Sequence, residues 1–259
     1  MPHDPPPAQR AGFRAARGWA AELVGLVLPV ACAGCGLVDV PWCAACAALL
    51  TGRPWRCEER AARLDRLDGR PLPVWTLAEC VGATRQAVVA WKDRGRADLT
   101  GRFASALRRS ASSVAFAARP AAPGGPPLLV VAAPSSPAAR RHRGGNVVDA
   151  LAGAVADGLA AGGVPAVAVD ALRRRPGADQ VGLGARGRAR NLAGRVRVRP
   201  GPSDGLRGRA VVLVDDVLTT GATFAACRTA LEGAGAVVVG GFTLASTPPP
   251  GALVTAAAG

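Results

Sequence analysis

Apolar residues are unevenly spread along the chain of 259 residues. From Pro73 onward they gather into four short Val-rich runs: Leu128 to Ala133, Val164 to Val169, Ala210 to Val214 and Val237 to Leu244. Each is bounded by Gly, Pro or charge, as strands buried in a parallel sheet are. Leu99 to Ala118, Asn146 to Leu159 and Thr223 to Glu232 have helical length and apolar spacing. Strands alternating with helices predict an α/β domain over 73–246, with a mainly parallel sheet flanked by helices. Residues 1–29 read as a polar, Pro-rich, disordered start followed by an amphipathic leading helix over about 9–27. A small cysteine module occupies 30–60, and Arg53 to Arg70, charged and poor in core material, reads as a surface linker. Pro120 to Pro127 makes the largest internal loop, and 247–259 a loose tail.

Charge changes this picture. Lys and Arg number 32 against 18 acids, a formal charge of +14, which calls for an anionic partner or substrate. Lys92 is the only lysine among these cations. Residues 171 to 199 hold nine arginines against one acid, Asp179, a bias too strong for an ordinary solvated face. Ten aromatics with no Tyr leave few platforms for base stacking. No apolar run approaches the ~20 residues of a membrane span. Arg10, Arg14 and Arg17 before Trp19 to Ala31 resemble a signal peptide only superficially, because Glu22 and Pro29 interrupt the run and no cleavage site follows. A cytoplasmic location is the expectation.

The seven cysteines include five in one stretch, Cys32, Cys35, Cys43, Cys46 and Cys57. Cys32-x-x-Cys35 and Cys43-x-x-Cys46 are two knuckles able to point four thiolates at one tetrahedral structural Zn²⁺. An odd total argues against a disulfide framework, and the strand-to-helix setting of a redox Cys-x-x-Cys is absent. Cys57 reads as a leftover, a spare ligand, a substitute for one of the four, or a free surface thiol. Cys80 and Cys227 read as core filler.

The sharpest motif runs from Val211 through Asp215, Asp216, Thr219, Thr220, Gly221, Ala222 and Thr223 into a helix. A buried strand ends in two carboxylates, and a turn of hydroxyl and glycine residues then opens a helix whose free N–H groups and positive dipole end suit a phosphate. The carboxylates would repel that phosphate; they suit neighbouring hydroxyls or a divalent metal. A sugar carrying a phosphate and a vicinal diol satisfies both halves. The stretch resembles the phosphoribosyl pyrophosphate signature of type I phosphoribosyltransferases. That resemblance implies ribose hydroxyls on Asp215 and Asp216, the 5′-phosphate on Thr219 to Thr223, and Mg²⁺ bridging diphosphate and ribose.

Together with the cysteine module, the chain resembles the ComF family over about residues 20 to 245. The resemblance implies a type I phosphoribosyltransferase fold behind a zinc module, and a role in bacterial competence and uptake of single-stranded DNA. Ala132-Ala133-Pro134-Ser135-Ser136, leading to Arg140 to Asn146, is similar to that family's pyrophosphate loop, with Ser135 for Val and Gly145 for Phe. Arg173, Arg174 and Arg175, with Gln180, Arg186, Arg190 and Asn191, resemble its flexible basic hood. Lys92, in Trp91 to Gly95, faces the nucleotide groove or merely snorkels. His142 is a candidate phosphate donor or a solvated side chain. Gly182 to Gly187 matches a dinucleotide fingerprint but lacks the preceding strand it requires.

Two functions follow as expectations. One is a competence-type DNA-uptake factor that binds phosphoribosyl pyrophosphate and single-stranded DNA and works with the uptake machinery. The other is an active phosphoribosyltransferase that transfers the sugar phosphate to a nitrogenous base or other acceptor.

Overall fold

A computed structural model describes residues 30–64, 71–115, 125–136, 140–141, 146–175, 194–201 and 205–249. The amphipathic helix over 9–27, His142, Gly145, the Gly182 to Gly187 fingerprint and the basic positions Arg186 and Arg190 lie outside these residues.

Six strands form the main sheet: β1 (Trp55–Arg56), β2 (Val74–Glu79), β3 (Leu128–Ala132), β4 (Ala166–Ala168), β7 (Ala210–Leu218) and β8 (Val237–Ser246). Their spatial order is β1-β2-β8-β7-β3-β4, and every pairing is parallel except β1 with β2. All four Val-rich runs are strands of this sheet. A separate antiparallel ribbon joins β5 (Leu172–Arg174) and β6 (Val196–Val198).

Alternation along the strands sends successive side chains to opposite faces, so each face builds its own core. Val212, Val214 and Phe242 pack on one side with α2 (Gly82–Asp93), α3 (Leu99–Val114) and α4 (Val148–Ala161). Val211, Leu213 and Val238 pack on the other with α5 (Ala222–Glu232) and the ribbon residues Leu172 and Val196. Helices α3 and α4 touch closely at Gly158, where a Cβ would fall 2.2 Å from the Arg108 carbonyl oxygen.

The cysteine module, with its short helix α1 (Ala44–Ala48), rests on the first of these faces. Trp42 meets Phe103 edge to face at 6.0 Å between ring centres, and Phe103 meets Trp91 similarly at 5.3 Å. Arg96, beyond α2, donates to the carbonyls of Ala31 at 3.1 Å and Pro41 at 2.8 Å while paired with Asp98. The knuckles are thereby tied to the α/β core by packing and by a charged clamp.

The stretch from Arg53 onward departs from the surface linker expected of it. Trp55–Arg56 adds a strand to the sheet edge, and Cys57, Glu58, Ala61 and Leu64 are buried. The charge pattern misleads because one of its acids, Glu58, is used internally. Glu58 accepts from Arg56 and from the Val74 N–H, contacts that hold its carboxyl below the usual range although burial opposes them. Cys57 is likewise no surface thiol: its Sγ donates to the Val74 carbonyl at 3.4 Å, and burial pushes its pKa up to about 12.

Candidate functional site

Two sites emerge. The first is the cysteine cluster. The Sγ atoms of Cys32, Cys35, Cys43 and Cys46 all lie within 4.8 Å of one another, and those of Cys35 and Cys43 are 3.6 Å apart. A tetrahedron with Zn–S bonds of about 2.3 Å places its sulfurs roughly 3.8 Å apart, so the four thiols suit a metal ion and are consistent with structural zinc. Burial alone would raise the Cys32 thiol, but backbone N–H groups of Cys35, Cys43 and Gly34 turned toward it bring it down to about 6. Gly34 has to be glycine, since a Cβ there would stand 2.7 Å from the Cys46 sulfur. Cys57 is not in the cluster; it packs on the opposite face of the sheet.

The second site is set by topology. The helix following β3 covers one face of the sheet and the helix following β7 covers the other, although β3 and β7 are neighbours. Such a reversal opens a crevice at the carboxyl ends of the two strands. Here β3 ends its pairing at Ala132 with Val214, whereas β7 continues along β8 as far as Leu218 with Ser246. The strand thus extends beyond the Val214 end expected from its hydrophobic run. It carries Asp215 and Asp216 as strand residues with one edge open.

A cleft of about 410 Å³ occupies this crevice. Asp215, Asp216, Thr219, Thr223, Pro134, Ser135 and Arg174 line it, joined by Lys92 and Asp93 from the end of α2. Thr220, Gly221, Ala222 and Arg173 are not among the lining residues. Thr220 and Arg173 are exposed, and Gly221 is buried beneath the turn.

Adjacent positions on β7 aim the two carboxylates at opposite faces. Asp216 is buried toward α2, where Lys92 Nζ reaches its Oδ2 at 2.6 Å. Asp215 lies on the α5 side, and its Oδ1 accepts the Asp216 N–H at 2.8 Å. Burial first, and the neighbouring Asp216 charge second, raise the Asp215 carboxyl well above its ordinary range, with Lys92 opposing them. Cys80 is half-buried just past β2. Burial raises its thiol and the Arg85 charge opposes this, and it is less enclosed than the core filler expected of it. Cys227, fully buried, does match that expectation.

The turn from Thr219 to Gly221 opens α5 with Gly221 at a φ of 77°, and among the described residues no side chain caps the helix start. Its first N–H groups are therefore available to an anion. Across the cleft, the loop after β3 is braced by hydrogen bonds. Ser135 Oγ and Asn146 Oδ1 are 2.7 Å apart, and Asn146 Nδ2 donates to Asp149 Oδ1 at 2.7 Å and to the Ala133 carbonyl at 3.3 Å.

Sequence reasoning missed what lies under the turn. The Arg63 N–H donates to the Thr220 carbonyl at 3.3 Å, and Leu64 and Ala61 fill the space where a Gly221 side chain would stand. Only the small buried apolar residues inside the charged stretch hinted at this.

These features define a mixed α/β protein with a mostly parallel six-stranded sheet, an acid-and-threonine cleft and a four-cysteine cluster. Comparison with protein-family models and with curated proteins finds no match for the chain. Among the described residues no helix is long and apolar enough to cross a membrane.

Proposed function

We propose that this chain is a ComF-like protein with a type I phosphoribosyltransferase fold, which binds phosphoribosyl pyrophosphate with Mg²⁺ and single-stranded DNA in DNA uptake. The observation that carries the reading is the composition of one cleft at the sheet's reversal point: two carboxylates beside an uncapped helix start rich in threonine, with an arginine opposite. In this reading the threonines and helix N–H groups take the sugar's phosphate. Asp215 and Asp216 face its hydroxyls, the Pro134-Ser135 loop and Arg174 take the diphosphate, and the cysteine cluster holds structural Zn²⁺. Mg²⁺, when bound, would supply charge neutralisation between diphosphate and ribose. The excess of positive charge supports a polyanionic partner in addition.

Calorimetry with phosphoribosyl pyrophosphate and Mg²⁺ tests the sugar site. The wild-type chain should bind, and the double variant Asp215→Asn, Asp216→Asn should lose binding while keeping its zinc and its far-UV spectrum. Unchanged binding in that variant would sink the reading.

A second reading, an active transferase, is favoured by the raised Asp215 carboxyl in the cleft, since perturbed acids gather where protons move. There Arg174 would help stabilise the departing diphosphate, and the acids would face the cation-like ribose. Diphosphate release on incubation with a panel of nitrogenous bases separates the two: release supports transfer, and binding without release supports the first reading.

A further inference from the structure

The β5–β6 ribbon has two unlike faces. Leu172 and Val196 are buried in the core and Arg174 lines the cleft, so this face looks inward. The residues between them point outward. Arg173 is directly opposite Arg197 in the ladder, and both are exposed. One step further along, the Arg175 N–H donates to the Arg195 carbonyl at 2.9 Å, so the next pair is arginine opposite arginine again.

Like charges directly opposite in an antiparallel pair destabilise it. Among the described residues, no carboxylate forms an ion pair with Arg173, Arg175 or Arg197. The nearest described acid in sequence, Asp170, is committed to Arg199 at 2.9 Å. Arginine thus stands opposite arginine on this outward face, a concentration of positive charge that an external polyanion would neutralise. Alternate residues on a strand stand about 6.8 Å apart and opposite residues about 5 Å. The face is thus a grid of guanidinium groups that can fork onto successive phosphates of an extended chain. A single diphosphate in the cleft would be met by Arg174 on the inner face and would leave the outer arginines unneutralised.

We infer that the outward face of the β5–β6 ribbon, centred on Arg173, Arg175 and Arg197, binds the phosphate backbone of a single-stranded nucleic acid. This rests on the DNA half of the proposed function and is independent of the sugar site. It is a separate surface from the cleft, and recognition through it is blind to base sequence because only phosphates are contacted.

The test is fluorescence anisotropy of labelled oligothymidylate with the full chain, titrated over a range of salt. In the double variant Arg173→Gln, Arg197→Gln, binding should weaken by about tenfold at low salt. The slope of log affinity against log salt should become shallower by roughly 1.4, about 0.7 for each phosphate contact removed. Arg173→Lys, Arg197→Lys should keep the wild-type slope, and the control Arg108→Gln, Arg109→Gln, on the exposed side of α3, should change little. A wild-type slope in the ribbon variant, or an equal loss in the α3 control, overturns the inference while leaving DNA binding intact. Failure of the wild-type chain to bind at all overturns the inference and the DNA half of the proposed function together, with the sugar site judged separately by calorimetry.

Discussion

Lys92, the only lysine in the chain, places its Nζ 2.6 Å from Oδ2 of Asp216, pairing a side chain about one-third exposed with one that is buried. Removing one partner of a buried ion pair costs about 3–5 kcal/mol, because the other charge is left without compensation. Water around the lysine screens part of this. Lys92→Met should therefore lower stability by roughly 2 kcal/mol in urea unfolding. Adding Asp216→Asn should restore much of that loss. Strictly additive effects in the double-mutant cycle would show that the pair is not coupled.

Asp215 gives the fold a pH dependence. Its carboxyl is raised in the folded state by burial and by Asp216, so the folded chain holds this proton more tightly than the unfolded chain does. Its contribution to stability is full below the ordinary carboxylate range and is lost as pH rises from there toward the raised folded value. Asp215→Asn, which cannot ionise, should flatten the fall of unfolding free energy as pH rises above that range. Denaturant titrations at a series of pH values check it; an unaltered slope would mean that another group governs the dependence.

Gly221 is constrained twice. Its φ of 77° is costly for a side-chain-bearing residue, and a Cβ would lie 2.8 Å from Leu64 Cγ. Gly221→Ala should destabilise by about 2–4 kcal/mol, combining left-handed strain with overpacking. Leu64→Ala, which alone opens a cavity, should recover part of the loss in the double variant by relieving the clash and none of the backbone strain. Thermal melts of the three variants measure this, and a double variant weaker than the sum of the singles would contradict the contact.

The cysteine cluster predicts its own metal content. Elemental analysis of the purified chain should give about one zinc per molecule. Cys43→Ser should lose most of it along with thermal stability. Cys57→Ser should keep it, because Cys57 packs on the other side of the sheet. Metal loss in the Cys57 variant would place that thiol among the ligands after all.

Much of this molecule was legible before its structure. Three of the four Val-rich runs are inner strands of a mainly parallel sheet because continuous apolar residues call for burial on both faces; the fourth, Ala166–Ala168, closes the sheet as an edge strand and leaves Val167 exposed, which its apolar run did not foretell. The two Cys-x-x-Cys knuckles converge because each short turn already points its thiols the same way. The acid pair and threonine turn fall at one strand-to-helix junction, a local feature that needs no long-range contact to be recognised.

What tertiary structure alone decided concerns partners distant in sequence. Whether Asp216 is paired depends on the end of α2 reaching β7 to bring up Lys92, 124 positions earlier. The stretch around Leu64 looked like a solvated linker because its charges dominate the pattern. Its few apolar residues become core only when β1 joins the sheet edge and carries them beneath Gly221. The cleft exists because β3 and β7 send their helices to opposite faces, a choice made by the packing of whole layers that no run of residues encodes locally. The sequence by itself therefore determined the elements and the chemistry they carry; the fold decided which of those groups meet, because burial and charge compensation act through space.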